Sequence, residues 1–455
     1  MSSYNKRSQN SQLLRIKKEA DEGNVESMIE YGNMIEKGEG AEPNKKEACK
    51  YYKMAADKGN IEAMRLYGWI LSKGDKSLRN IKEAFKYYEM AASKGDDESM
   101  IICGLMLYRG EDIKSDKKRA AEFYKKSADQ NNINGMYYYA RQLEYGDGIQ
   151  MDKEQASYYY KKAADNGHVA SMNRYALMLE KGEGVERDTK EEARYYKMSA
   201  DAGNLIGITS YAYMLYLGKG VELDLEESSR YYKIAAEKGN FTALYKYGAM
   251  LEKGEGVEKN LKEAARYYKR AADEGFVKAM EKYGILLMKG IGCEVNKKEA
   301  KRYFTMAADK GSSTAIWRLE RLAEYEDGSE QNQIESAKYC KMLADAGNRD
   351  SMLRYGKMLE EGIGCNVNCE EASRYYKMAI NKGKMNAASY YAHLLYTGNG
   401  IKRDVKEALK YYKMSADNGI PSSMSQYGYM LLKGEGSADI DEDEAFRYLK
   451  MAADK

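Results

Sequence analysis

Two histidines, six cysteines and many scattered carboxylates are the side chains that could support acid–base, nucleophilic or metal chemistry. His168 and His393 stand 225 positions apart, too far along a repeating chain to share a metal ion or a proton. Cys365 and Cys369 fall in one loop and supply two possible ligands, whereas a structural zinc site takes four and no histidine lies nearby. Ser115 and Lys118 form a lone S-x-x-K with no K-T-G downstream, so neither half of a serine–lysine site is completed. The GEGV loops at 182–185 and 254–257 precede helical patterns, where a glycine-rich turn can cradle phosphate. None continues to G-x-G-x-x-G, and G-x-x-x-x-G-K-[ST] is absent. Such loops return along the whole chain, which one cofactor site would not need and helix caps would. The carboxylates sit three or four residues from Lys or Arg, the spacing of solvated ion pairs. No enzyme, cofactor or metal site is expected.

What must position any site is a 36-residue period. Repeats 1–11 run 25–60, 61–96, 97–132, 133–168, 169–204, 205–240, 241–276, 277–312, 313–348, 349–384 and 385–420. Repeat 12, 421–455, carries one extra loop residue. Numbering each repeat from its first residue, apolar or small side chains fall at positions 4, 7, 8 and 11, as in Leu244, Tyr247, Gly248 and Leu251. A second stripe runs through Ala264, Tyr267, Tyr268, Ala271 and Ala272. Both have helical spacing, so each repeat is expected to hold helix A (about 1–13) and helix B (about 21–34). Position 20 is Asn or Asp in all twelve repeats, from Asn44 to Asp441, including Asn332. Glu usually follows three residues later, the signature of a capping box in which Glu reaches back to the cap's own N–H. Gly at position 14 suits the left-handed residue ending helix A. Residues 11–24 read as a leading helix and 1–10 as a disordered tail.

Composition agrees with a helical array. Only two prolines occur in 455 residues. The 74 basic residues against 71 acidic ones leave no net drive toward nucleic acid or an anionic membrane. No apolar run reaches the ~20 residues of a membrane span, and no secretory leader is apparent. The cysteines do not pair at fixed positions in successive repeats, so reduced thiols in the cytoplasm are expected. With 43 Tyr and 6 Phe, the rings should be buried by their faces while the hydroxyls reach polar groups or water.

The pattern carried by Ala243, Tyr247, Gly248, Leu251, Gly254, Gly256, Glu263, Ala264, Tyr267, Tyr268, Ala271, Ala272 and Gly275 resembles the Sel-1-like repeat, a relative of the tetratricopeptide repeat. The resemblance spans 25–455 and extends to the leading helix. It implies an all-α, right-handed α-solenoid superhelix of about twelve helix-turn-helix repeats, with the A helices on the concave side. It also implies a non-enzymatic scaffold or adaptor. Some disulfide-rich bacterial members have been linked to penicillin binding; the regular cysteine pairs of that branch are missing here.

Positions that refuse to repeat point to function. Positions 5, 9, 12 and 13 of helix A lie outside the packing stripe and carry many large aromatics. Trp69, Tyr108, Tyr213, Tyr216, Tyr245, Trp317, Tyr325 and Tyr396 are the expected anchors for a protein or peptide segment in the concave groove. Arg141, Arg321 and Lys357 would orient an acidic ligand. The competing reading is that some of these rings pack between adjacent A helices. Repeat 9 departs most, with Leu319, Glu320, Ala323, Glu326 and Cys340 replacing the usual types. Glu320 must either open the packing into a hinge or find a partner, and drift is a third account. Loops 74–80 and 110–116 lose their second glycine to Lys76 and Asp112. Two alternatives to the scaffold are a self-associating rod, joined through an uncapped last repeat, and an activator subunit of a separate enzyme. A hydrolase ranks behind both.

Overall fold

A computed structural model describes residues 3–74, 77–325, 329–436 and 440–454. These residues form 25 helices and no strand. They divide into two units, Met1–Lys238 and Gly239–Lys455. The first holds the leading helix and repeats 1–6; the second holds repeats 7–12. Within each unit every helix packs on the next, giving an all-α solenoid. No described helix is long and apolar enough to cross a membrane.

Repeat 1 shows the unit of construction. Helix A is Val25–Lys37 and helix B is Lys45–Asp57. The Asn24 side chain caps the first by accepting from Ser27 N, and Gly38 ends it at φ 78°. Asn44 caps the second, accepting from Glu47 N at 3.0 Å. Such a cap stabilises its helix by roughly 1 kcal/mol. Position 20 caps helix B in eleven repeats. Repeat 9 is the exception. Its helix B starts early, at Glu330, and Ser329 accepts from Asn332 N, so Asn332 lies inside the first turn.

The expected capping box is replaced by a different circuit. The Asn44 N–H is already bonded to Ile35 O at 2.9 Å, and Asn260 N to Leu251 O at the same distance. One N–H makes one good bond, so the position-23 glutamate turns elsewhere. Glu47 accepts from Tyr31 Oη at 2.8 Å and from Lys17 at 3.1 Å.

Many of the tyrosines use carboxylates. The position-27 hydroxyl reaches the aspartate at position 33 of the preceding repeat: Tyr87 to Asp57 at 2.5 Å, Tyr375 to Asp345 at 2.6 Å. Position 28 donates to position 12 of its own repeat: Tyr160 to Glu144 at 2.8 Å, Tyr268 to Glu252 at 2.9 Å, Tyr376 to Glu360 at 2.7 Å. A hydrogen bond to a charged group contributes roughly 1.5–3 kcal/mol, which phenylalanine could not supply. Burial, reinforced by the facing carboxylates, pushes these hydroxyls far up. Position 8 must be small because the position-28 ring lies against it; a Cβ on Gly356 would come within 2.5 Å of the Tyr376 ring.

Repeat 9 exchanges both members of that pair. Glu320 takes position 8 and Cys340 takes position 28, so the carboxylate occupies space the ring vacates. Glu320 is buried, and its partner is Arg354 of repeat 10. Nη1 lies 3.3 Å from Glu320 Oε1 without hydrogen-bond alignment, and Nη2 holds Glu324 at 2.7 Å.

Two other expectations change. The segment expected to be a disordered tail is helical from Ser3, in a helix running to Asp21. Asp112 fills the left-handed glycine site at φ 58° and pairs with Arg79 at 3.0 Å. Lys76 and Glu326 lie outside the described residues.

The six cysteines are free thiols. Cys365 Sγ donates to Met358 O at 3.4 Å, whereas Cys369 is buried in the core. Burial pushes every thiol up, Cys103 to about 12. In the folded protein at neutral pH, the partly exposed Cys293 and Cys365 are expected to react first with a thiol reagent. Their rate should rise about tenfold per pH unit, following the thiolate fraction. Labelling of Cys49 or Cys340 at the same rate would contradict the packing.

Candidate functional site: clefts between successive A helices

Helix A of one repeat and helix A of the next leave a cleft between them. Positions 9, 12 and 13 of the first and positions 5, 6, 9 and 10 of the second make the walls; the position-28 side chain of helix B makes the floor. The repeat therefore builds the same site again and again, and side-chain choice decides which copies stay open.

In the first unit, the cleft between repeats 3 and 4 is nearly closed. Tyr138 stacks on the floor ring of Tyr124 at 5.1 Å and leaves about 30 Å³. Tyr108 and Arg141 share this cleft, with the guanidinium 5.9 Å from the ring centre. A hydrogen bond to Asp147, helped by burial, raises the Tyr108 hydroxyl. Between repeats 4 and 5, about 330 Å³ remains beside Arg174 and Glu144, which face each other at 3.8 Å. Between repeats 2 and 3 the space grows to about 480 Å³, walled by Trp69, Lys73, Ile102 and Arg109 over the Tyr88 ring. Position 12 is Ser72 there, so the position-12 glutamate is missing, and Glu111 is the carboxylate that lines the cleft.

In the second unit, repeats 8 and 9 enclose about 440 Å³. Helix A of repeat 8 is Val277–Lys289 and that of repeat 9 is Ser313–Tyr325. Ile285, Met288, Phe304, Trp317 and Leu322 give the apolar surface; Lys289, Lys297, Arg318 and Arg321 give the charge. No carboxylate among the described residues lines it.

The expected anchors separate into presented and packed rings. Trp69, Tyr213 and Trp317 are 46%, 45% and 49% exposed. Tyr216 is half-buried and, with Tyr213, lies near Tyr232. Tyr245 is half-buried against Tyr268 and Phe276, at 5.4 and 5.5 Å. Tyr396 donates to Glu435 at 2.8 Å. The side chain of Tyr325 lies outside the described residues. Among the basic residues, Arg321 shares a cleft with Trp317 and also meets Glu324 at 3.3 Å. Lys357 stands 4.0 Å from the Tyr390 ring centre.

Met288, Phe304, Lys289, Lys297 and Arg318 were not singled out from the sequence. The signal that could have found them lies in repeat 8 itself, where Met288 and Phe304 together replace the position-12 glutamate and position-28 tyrosine of repeats 4, 7 and 10.

The Sel1 repeat family model matches residues 25–60, 61–96, 97–132, 133–168, 169–204, 207–240, 242–276, 277–312, 319–348, 349–384, 386–420 and 421–455. No curated protein matches significantly. Among solved structures, a protective antigen of uropathogenic Escherichia coli strains displaying an SLR fold is 25% identical, with a TM-score of 0.70 over 97% of this chain and 92% of that one. A Sel1 repeat protein from Oxalobacter formigenes is 24% identical, with a TM-score of 0.57 over 69% of this chain and 91% of its own.

Proposed function

This chain belongs to the Sel1 repeat family, whose members generally serve as protein-interaction scaffolds, and we propose that it holds a partner's polypeptide segment in the clefts between A helices. One observation carries this reading: the chain has two tryptophans, and each walls an open cleft, of about 480 and about 440 Å³. Both rings remain about half exposed. A large ring held over an apolar floor offers contact area at little entropic cost, which is how binding hot spots are made. Successive clefts along one unit would engage successive side chains of an extended segment, so several weak contacts add. Tyr213, Tyr216, Tyr245, Tyr325, Tyr396 and Lys357 flank other A-helix junctions and would serve as secondary contacts. The free thiols favour a reducing, cytoplasmic setting.

The test is selection from a phage-displayed peptide library against the full chain. Peptides enriched on the wild type are expected to lose binding to the Trp69→Glu, Trp317→Glu double variant, while far-ultraviolet circular dichroism stays unchanged. Undiminished binding to that variant would sink the cleft reading.

A further inference from the structure

The cleft between repeats 8 and 9 lacks a carboxylate that three sibling junctions contain opposite the same basic position. At three A-helix junctions, a basic residue at position 6 pairs with a glutamate at position 12 of the repeat before it. Arg174 meets Glu144 at 3.8 Å, Lys282 meets Glu252 at 2.8 Å, and Arg354 meets Glu324 at 2.7 Å. In two of these junctions the same glutamate also accepts from the position-28 tyrosine, Tyr160 or Tyr268. Repeat 8 has lost both of the glutamate's roles together: position 12 is Met288 and position 28 is Phe304.

Arg318 keeps position 6 and is left without its carboxylate. Its Nε is buried with no hydrogen-bond acceptor among the described residues. Its guanidinium stands 5.8 Å from the ring centres of both Phe304 and Trp317. A buried donor without an acceptor carries a desolvation penalty, which an incoming carboxylate would remove. Lys289 and Lys297 border the same space, and neither has an ion pair among the described residues. The cleft is also open: about 440 Å³, against about 30 Å³ where Tyr138 fills the equivalent site.

We propose that this cleft binds an acidic side chain of a partner polypeptide, its carboxylate on Arg318 in the place of the missing position-12 glutamate. An adjacent apolar side chain of the partner rests on Met288, Phe304 and Trp317. The ligand is a glutamate-bearing segment because the sibling clefts fill the same place with a glutamate of their own. This rests on the scaffold reading above and adds the partner's chemistry to it. Arg318 supplies the specificity: an arginine whose buried Nε has no acceptor among the described residues discriminates sharply between a carboxylate and a neutral isostere.

The experiment uses the full chain with Trp69→Phe, which leaves Trp317 as the sole tryptophan. The probe is the blocked peptide acetyl-Ala-Phe-Glu-Leu-Ala-amide, titrated while Trp317 emission is followed. A saturable emission shift is expected with this peptide. The same peptide with Gln for Glu should bind at least about tenfold more weakly, equivalent to about 1.4 kcal/mol. Arg318→Gln should produce a similar loss for the Glu peptide and little for the Gln peptide. Met288→Glu restores the internal carboxylate; it should keep its helical circular dichroism and abolish the shift. Several results overturn the inference: equal binding of the Glu and Gln peptides, persistence of the shift in Met288→Glu, or no shift with the Glu peptide up to about 1 mM. Tighter binding of the Gln peptide when its terminal carboxylate is left free would also overturn it. The outcomes separate from the general reading, since a Gln peptide that binds equally well removes the carboxylate claim yet leaves an apolar cleft in use.

Discussion

Replacing Arg354 with alanine is expected to destabilise the second unit by about 3 kcal/mol, the lower end for a buried charge deprived of its partner. Glu320 is only 2% exposed, and it approaches the guanidinium at 3.3 Å while Glu324 meets it at 2.7 Å. Without the cation, two carboxylates remain side by side, one of them cut off from water. The arginine side chain keeps 34% of its own surface exposed, which holds the figure to the lower end. Typical domain stability is about 5–15 kcal/mol, so the loss is large. Repeat arrays couple mainly between neighbours, and the thermal melt should therefore show an earlier transition. Glu320→Gly with Cys340→Tyr rebuilds the small-residue-under-ring pair found at Gly356 and Tyr376. In that background Arg354→Ala should cost only about 0.5–1 kcal/mol, as for an ordinary exposed ion pair. An undiminished loss there would show that Glu320 is not the reason Arg354 is needed.

Gly220→Ala is expected to cost about 3 kcal/mol or more, though it removes no contact. Gly220 has φ 71°, and an added Cβ would lie 1.9 Å from the Thr189 carbonyl oxygen of the preceding repeat. The left-handed conformation accounts for about 1–2 kcal/mol; the remainder comes from forcing two backbones apart. Gly167 provides the matched control, with φ 90° and nothing within 4 Å of its Cβ position. Gly167→Ala should lose only the conformational part, about 1–2 kcal/mol. Denaturant midpoints of the two variants then separate inter-repeat contact from backbone preference. Equal losses would mean that contact with Thr189 plays no part.

Much of the fold could be read before any coordinates because its signals are local. A cap at Asn44, a left-handed glycine at Gly38 and a stripe through Tyr267, Tyr268, Ala271 and Ala272 each act within a turn or two of helix. Asn332 shows the limit: it has the right residue type at the right register, yet Ser329 takes the cap. The capping-box glutamates failed for a related reason, since the Asn44 N–H was already bonded to Ile35 O, a competitor nine residues away.

The candidate site was partly legible. Trp69 and Trp317 stood out because they break the repeat, and both line open clefts. Tyr245 and Tyr396 broke it equally, but Tyr245 packs against Tyr268 and Phe276 and Tyr396 is hydrogen-bonded to Glu435. Whether a ring is presented or packed depends on side chains beyond its own helix. Arg318 escaped notice because a basic residue at position 6 looks ordinary alone.

The 36-residue period, the caps and the two stripes were enough to establish an all-α repeat array. Those features are set by hydrogen bonding and hydrophobic spacing within one helix, which the order of residues encodes directly. Tertiary structure decided which carboxylate each tyrosine uses, how Glu320 is tolerated, and which clefts remain open. Each of those outcomes is a matter of volume and charge balance among three side chains on different helices. The open, cationic cleft at Arg318 exists because Met288 and Phe304 left a place that a glutamate and a tyrosine fill in repeats 4, 7 and 10.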